Sequence, residues 1–214
     1  NKGSYQRFAE INPWVTAPDS ALLNTRVQER YIGLKGSAGN HFTYSGRLGF
    51  NLYKNMPLFV NDTIDGKTFL TVYEPSMEAL SLHAELGYTQ GEAFNVTARM
   101  DFNQYTKLKE QKKAWGLLPL EFAVSLKWRL LKDLWLRSDI FAWDGPQYRG
   151  KNLDSYKGSA AFDASAGLEF RITKQFNLWV QMNNIFNNKY ERWNQYEAYG
   201  FNILGGIVYS FGQK

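Results

Sequence analysis

The chain has 214 residues, 44% hydrophobic and 16% aromatic, yet no stretch approaches the ~20 consecutive apolar residues that a membrane-crossing helix needs. It has no cysteine, which removes disulfides, iron–sulfur clusters, thiolate nucleophiles and cysteine-based zinc sites together, and its two histidines, His41 and His83, are too few for a histidine-rich metal centre. The net charge of +5 is scattered along the chain, so nucleic acid is not an expected partner, and no cofactor is expected.

Asn1-Lys2-Gly3 runs straight into polar residues with no signal peptide, so the chain reads as mature, cytoplasmic or a piece of something longer. Residues 1–24, with Pro13 and Pro18, read as a loop-like lead-in. From there a period of two takes over. Successive side chains of a strand point to opposite faces, so apolar and polar residues in alternation mark a strand with two unlike faces. A weak version runs from Tyr31 to Lys35 and stops at the turn residues Gly36 to Asn40. The next is strong: Phe42, Tyr44, Gly46, Leu48, Phe50 and Leu52 alternate with Thr43, Ser45, Arg47, Gly49, Asn51 and Tyr53. Lys54 to Lys67 reads as a long polar loop, followed by weaker strands at Phe69 to Tyr73 and Leu80 to Tyr88 and a turn at Thr89 to Ala93. Between Phe94 and Asn103 one face is wholly polar: Asn95, Thr97, Arg99, Asp101 and Asn103.

After a long stretch at Thr106 to Leu118, strands at Leu120 to Leu130 and Leu134 to Trp143 flank the short turn Leu131 to Asp133. A second long stretch, Asp144 to Ala161, precedes strands at Phe162 to Ile172 and Phe176 to Met182, joined by the turn Thr173 to Gln175. A third, Asn187 to Tyr199, leads into a last strand at Phe201 to Phe211. The result is about ten strands joined by short turns and long loops in turn, an antiparallel up-and-down meander with one short-looped end and one long-looped end. Outer-membrane β-barrels have that asymmetry. No domain linker interrupts it, so residues 1–214 are expected to form one all-β barrel segment.

Alternation does not say which face is inside. A soluble sandwich buries the apolar face; a transmembrane barrel turns it toward lipid. Two features favour the barrel. The polar face carries mid-strand charges, Arg47, Arg99 beside Asp101, Arg137 beside Asp139 and Glu169 beside Arg171, which suit a watery or plugged lumen. The apolar face carries aromatics near strand ends, among them Phe42, Phe50, Phe94, Phe102, Trp128, Phe162 and Phe170, as a girdle at two lipid interfaces would. The same assignment makes His83, Glu85, Glu121, Lys127 and Arg129 lumen-facing. Because an unpaired strand edge in hydrocarbon costs several kcal/mol per exposed group, such a sheet must close on itself or continue in further strands.

At the C-terminal end, Asn183 to Trp193 (NNIFNNKYERW) and Tyr199 to Phe211 (YGFNILGGIVYSF) resemble the end of TonB-dependent-receptor-like outer-membrane barrels, especially those of Bacteroidetes. Asn12-Pro13-Trp14, Leu22-Leu23-Asn24-Thr25, Gly33-Leu34-Lys35-Gly36 and Asn55 to Asp62 (NMPLFVND) resemble the same group. The resemblance implies the C-terminal part of a barrel of about 22 strands, with a plug domain and a TonB box elsewhere, since neither is recognisable here. It implies uptake of a scarce nutrient across the outer membrane. The partners it implies are outer-membrane lipid and lipopolysaccharide, the remaining strands and plug, TonB through the plug, and the barrel-assembly machinery reading Ile203, Ile207, Tyr209 and Phe211. A small autonomous barrel acting as pore, adhesin or anchor is the alternative.

Other motifs carry less. Asn61 to Gly66 (NDTIDG) begins like a calcium loop, but counting from Asn61 puts Val72 where a bidentate Glu is needed, so a turn at Asp65-Gly66 is expected. Lys107 to Lys113 (KLKEQKK) is expected to be a solvated loop face, with lipopolysaccharide phosphate the competing partner. His83 lies between Ser81 and Glu85 on the polar face and is expected to be a hydrogen-bonding residue. No nucleophile elbow or Ser/His/Asp arrangement is present, and no enzymatic activity is expected.

Overall fold

The computed structural model describes residues 23–211; the lead-in at 1–22, with its Asn12-Pro13-Trp14 motif, and residues 212–214 lie outside the described part. Among the described residues thirteen strands form: β1 (Arg26–Ala38), β2 (Phe42–Asn61), β3 (Phe69–Gln90), β4 (Phe94–Thr106), β5 (Leu120–Leu131), β6 (Leu134–Trp143), β7 (Gln147–Arg149), β8 (Ser155–Lys157), β9 (Ala161–Arg171), β10 (Phe176–Asn183), β11 (Glu191–Trp193), β12 (Tyr196–Glu197) and β13 (Asn202–Tyr209). Nine of them make one antiparallel sheet in the order β1-β2-β3-β4-β5-β6-β9-β10-β13, and β7–β8 and β11–β12 are small hairpins inside loops. The sheet does not close: β1 and β13 are its edges.

Register sorts the side chains as the alternation predicts. Ile32, Leu48, Leu82, Phe102 and Leu120 lie in one row across β1 to β5, and Leu136, Leu168, Val180 and Gly205 continue the same face across β6 to β13. These apolar side chains are uncovered. Ile32 is 75% exposed, Phe42 56% and Ile207 62%, so the greasy face has no second layer over it among the described residues. That excludes the sandwich reading, in which the same residues would be packed together. At the short-turn end the face finishes in an aromatic ladder, Phe42 to Tyr88 at 4.8 Å, Tyr88 to Phe94 at 5.9 Å and Phe94 to Trp128 at 6.1 Å between ring centroids. Outward aromatics recur toward the other end at Phe50 and Phe102, eight residues on from Phe42 and Phe94, which matches a tilted span of about nine to eleven residues.

The structure departs from the expected elements in three ways: β1 is longer than the stretch Tyr31 to Lys35, short hairpins form inside two of the expected loops, and the β2–β3 region differs most. The loop expected at Lys54 to Lys67 shrinks to the residues after Asn61, because β2 runs on to Asn61, and the two short strands expected at Phe69 to Tyr73 and Leu80 to Tyr88 are one 22-residue strand. Although this stretch contains Pro57 and Pro75, the pairing keeps one register on both sides of Asn55 and Pro75, with Lys54 opposite Ser76 and Met56 opposite Glu74. Proline is tolerated there because β1 pairs no further than Lys54 and β4 no further than Glu78, so the tip beyond is a free-standing hairpin. Asn55 takes φ 53° at this point.

The core sits at that tip, not between layers. Leu58 and Val60 pack with Trp115 from the β4–β5 loop, flanked by Met56, Leu70, Val72 and Leu117. Hence residues that continue the outward parity of β2 are buried at the tip. On its other face Phe59 meets Trp193 and Phe69 meets Tyr196, from the β11–β12 hairpin. The tip is thus clasped from both sides by loops that start on other strands.

Glu74 holds one jaw of this clasp. Its carboxylate is fully buried and accepts hydrogen bonds from the backbone amides of Ser76 (3.1 Å), Lys109 (2.8 Å), Glu110 (3.1 Å) and Gln111 (2.7 Å). Burial alone would raise its pKa, but the four amide donors outweigh it and hold the carboxyl below its ordinary range. A depressed carboxylate stabilises the fold above its unfolded pKa and loses that contribution as pH falls through the folded value. Hydrogen bonds to a charged group contribute about 1.5–3 kcal/mol each, so Glu74→Ala should speed amide exchange of Lys109 to Gln111, relative to intrinsic rates, at least about tenfold at neutral pH. In the parent protein the same protection should fade as the medium is acidified below the carboxylate range; unchanged exchange in the variant would show that the carboxylate does not hold the loop.

Candidate functional site

The face opposite the apolar one gathers the charges. Arg47, His83, Asp101 and Glu121 form one row across β2 to β5, and Glu85 and Arg99 are paired in a row nearer the short turns. Lys127 lies opposite Arg137, Asp139 opposite Ser125, and Arg129 and Glu169 on either side of Trp135. Arg171 follows opposite Asn177. All twelve charged positions singled out in the sequence therefore share a single face.

They divide into two clusters. In the first, His83 Nδ1 is 2.6 Å from Asp101 Oδ1, and Arg99 Nε is 3.1 Å from Asp101 Oδ2, so one carboxylate bridges two basic groups. Arg47 turns the other way, to Glu29 at 3.2 Å, with its guanidinium 5.3 Å from the Tyr31 ring. Asn51 donates to Ser81 Oγ (2.9 Å), which donates to Asn103 Oδ1 (2.7 Å). Glu29, Arg47, Asn51, His83, Asp101 and Asn103 line a polar hollow of about 220 Å³. The second cluster lies toward the short turns, where Arg137 pairs with Glu169 at 3.0 Å and Arg171 stacks 4.7 Å over Trp135. With Lys127 and Asn95 they line a hollow of about 520 Å³.

The pairing differs from a simple i, i+2 scheme. Arg99 and Asp101 do meet, but Arg137 reaches across to Glu169, Asp139 accepts instead from Ser125 Oγ (2.6 Å), and Arg171 takes an aromatic face. Glu85, Glu121, Lys127 and Arg129 make no ion pair among the described residues. Glu29 was not singled out in the sequence because its strand begins well before the weak alternation at Tyr31; only the cross-strand register reveals it.

At the long-loop end, loop residues pack over this same face. Tyr190 packs edge-on against Phe141 and Trp143, at 5.9 and 5.1 Å, and donates its hydroxyl to Asp163 Oδ2 at 2.5 Å. Burial and the adjacent carboxylate push that phenol well above its ordinary range. Asn194 Nδ2 bridges Asn61 Oδ1 (2.5 Å) and the Tyr156 hydroxyl (2.7 Å), tying the β11–β12 hairpin to the β2 tip and to β8. The asparagines of the NNIFNN run have structural work: Asn184 and Asn187 take φ 46° and 52°, and Asn184 holds the loop base through Asn188 and Tyr199.

The two weaker motifs resolve as loops. In NDTIDG, Asp62 and Asp65 accept amide protons from Gly66, Lys67 and Thr68, and Gly66 takes φ 73°, so the oxygens are engaged in the turn itself. In KLKEQKK, Lys107 pairs with Glu78 at 2.9 Å, while Lys112 and Lys113 line a hollow of about 500 Å³ beside β4. Among the described residues no three His, Asp or Glu side chains gather into a metal-binding group.

No protein-family model and no curated protein sequence matches the chain. Solved structures do. The FrpB iron transporter from Neisseria meningitidis superposes with TM-score 0.64 at 13% identity, over 92% of this chain and 33% of its own. The copper transporter OprC gives TM-score 0.64 at 13% identity over 87% of this chain and 31% of its own. The ferripyoverdine receptor of the outer membrane of Pseudomonas aeruginosa gives TM-score 0.68 at 13% identity, over 87% of this chain and 27% of its own. The chain thus has the fold of part of an outer-membrane receptor barrel, and it spans about a third of the length of these proteins.

Most ion pairs of the polar face are half-exposed, and such pairs contribute about 0–1 kcal/mol each. A double-mutant cycle on Arg137→Ala and Glu169→Ala should give a coupling below about 1 kcal/mol that shrinks in high salt; a coupling of several kcal/mol would mean the pair is buried in the working protein.

Proposed function

We propose that this chain is the C-terminal portion of the barrel of a TonB-dependent-receptor-like outer-membrane protein that takes up a scarce nutrient. The observation that carries the reading is the division of the nine-stranded sheet into a continuous uncovered apolar face and a charged face, with tight turns at one end and packed loops at the other. The fold shared with iron, copper and ferripyoverdine transporters and receptors supports it, as does the sequence resemblance at the C-terminal end. The Bacteroidetes type rests on that resemblance alone.

In this reading the apolar face meets outer-membrane lipid and lipopolysaccharide, and Arg47, His83, Glu85, Arg99, Asp101, Glu121, Lys127, Arg129, Arg137, Asp139, Glu169 and Arg171 line the lumen. The edges β1 and β13 pair with further strands of the same barrel. A plug domain fills the lumen and reaches TonB. The barrel-assembly machinery reads β13, whose Ile203, Ile207 and Tyr209 share the lipid face.

The half-exposed pairs suit a wall that must hold a plug and release it. Each contact exchanges readily with water, so rearranging the plug past Asp101 or Glu169 costs little per group. Metal chelates are the first cargo to examine, because all three of the structural neighbours described above carry a metal or a metal chelate in their names. Whole-cell uptake should be measured for ferric chelates, copper, cobalamin and oligosaccharides, in cells expressing the full-length protein with TonB intact or deleted. Uptake of one cargo that disappears without TonB is the expected result; uptake indifferent to TonB would favour an autonomous pore.

A further inference from the structure

We propose that the long-loop rim of the apolar face binds the phosphate groups of an outer-leaflet lipid through Arg26, Arg30 and Lys54. The inference deepens the reading above, on which it rests: the apolar face is the lipid face and its long-loop end lies at the outer leaflet.

The argument starts from where charge is allowed on that face. Following the register through all nine strands, outward-facing positions carry charged residues at Arg26, Arg30, Lys54, Glu74 and Glu78 only. All five lie at the long-loop end of β1, β2 and β3. The opposite end of the same face has none within its strands and finishes in the Phe42, Tyr88, Phe94, Trp128 ladder. One rim is aromatic and the other, over these three strands, is cationic.

The two acids do not neutralise the three cations. Glu74 is buried and occupied by backbone amides, and Glu78 is held by Lys107 at 2.9 Å. The nearest carboxylate on β1, Glu29, points to the opposite face and pairs with Arg47. Arg26 and Arg30 have no charged partner among the described residues, and Lys54 has only Ser76 Oγ, at 3.3 Å. Both arginines are exposed along the strand.

Depth completes the case. Arg30 is paired with Phe50, the last outward aromatic of β2 before the rim, and Arg26 is paired with Lys54, four residues or about 13 Å further along the strand. Only Leu52, opposite Gln28, stays apolar between Phe50 and Lys54 on that face, so the cations span the edge of the apolar belt, the level at which a bilayer presents phosphate. Gln28, between the two arginines on the same face, adds an amide donor. Guanidinium forks match phosphate oxygens two at a time, and Lys54 beside Arg26 supplies a point charge to the same group.

The test uses the full-length protein in mild detergent, titrated with lipid A, dephosphorylated lipid A and inorganic phosphate, with bound lipid counted by native mass spectrometry. Lipid A should bind at least about tenfold more tightly than its dephosphorylated form, and the combined Arg26→Gln, Arg30→Gln and Lys54→Gln variant should lose about tenfold or more. Arg26→Lys with Arg30→Lys should retain binding, which separates charge from misfolding, and Lys112→Gln with Lys113→Gln should leave it intact. Parent-like affinity in the glutamine variant, equal loss in the lysine variant, or displacement of lipid A by millimolar inorganic phosphate would each overturn the proposal. A nitroxide at Leu48 separates the two levels of inference: contact with acyl chains together with unchanged lipid A binding sinks only the phosphate site, whereas a water-exposed Leu48 sinks the lipid face itself.

Discussion

In the reading proposed above, the sheet within the apolar belt follows from the backbone hydrogen-bonding of a strand that crosses hydrocarbon. Each peptide N–H and C=O must find a partner on a neighbouring strand, because lipid offers none. Within the sheet that demand is met by unbroken antiparallel ladders, thirteen consecutive residue pairs between β1 and β2 alone. Once the backbone is committed sideways, side chains have only two directions. The sequence loads one with Ile, Leu, Phe and Val and the other with Arg, Asp, Glu, Ser and Asn. An uncovered apolar face on a well-paired sheet is costly in water, at about 25 cal/mol for each Å² left unburied, and costs nothing against acyl chains. The unpaired edges of β1 and β13 face the same demand, which further strands of one barrel would satisfy.

The long-loop end obeys a different rule. Beyond the apolar belt the β2–β3 hairpin has no neighbouring strand on either side, so its two faces must be covered by something else. Trp115 and Leu117 cover one, and Trp193 and Tyr196 cover the other. Polar side chains complete the clasp: Glu74 takes the amides of one loop, and Asn61 and Asn194 tie down the second. The loops over the charged face therefore form a packed assembly. Tyr190, edge-on to Phe141 and Trp143, fixes that loop to β6.

Much of this was legible in the sequence, for a physical reason. Two-residue periodicity survives whichever face meets lipid, so the strands around Phe42, Phe94, Leu120 and Phe162 and the short turns between them could be read directly. The β2–β3 tip could not. Its Asn55, Pro57, Pro75 and Ser76 look like breakers, and only the absence of a ladder beyond Lys54 and Glu78 makes them harmless. The positions of the twelve charged residues on one face followed from the alternation, but their partners did not. Arg47 with Glu29 and Arg137 with Glu169 depend on cross-strand register, which local sequence does not encode. The clasp contacts from Trp115 and Trp193 to the tip are longer-range still.

The most direct test is a single-cysteine scan along β5, Leu120 to Leu131, made practical by the lack of cysteine in this chain. Nitroxide labels in the full-length protein, reconstituted in bilayers, should be relaxed by oxygen at positions 122, 124, 126 and 128 and by a water-soluble nickel chelate at 123, 125 and 127. A period of two with that phase is what the account requires. The opposite phase, or water access at Phe122 and Val124, would contradict it.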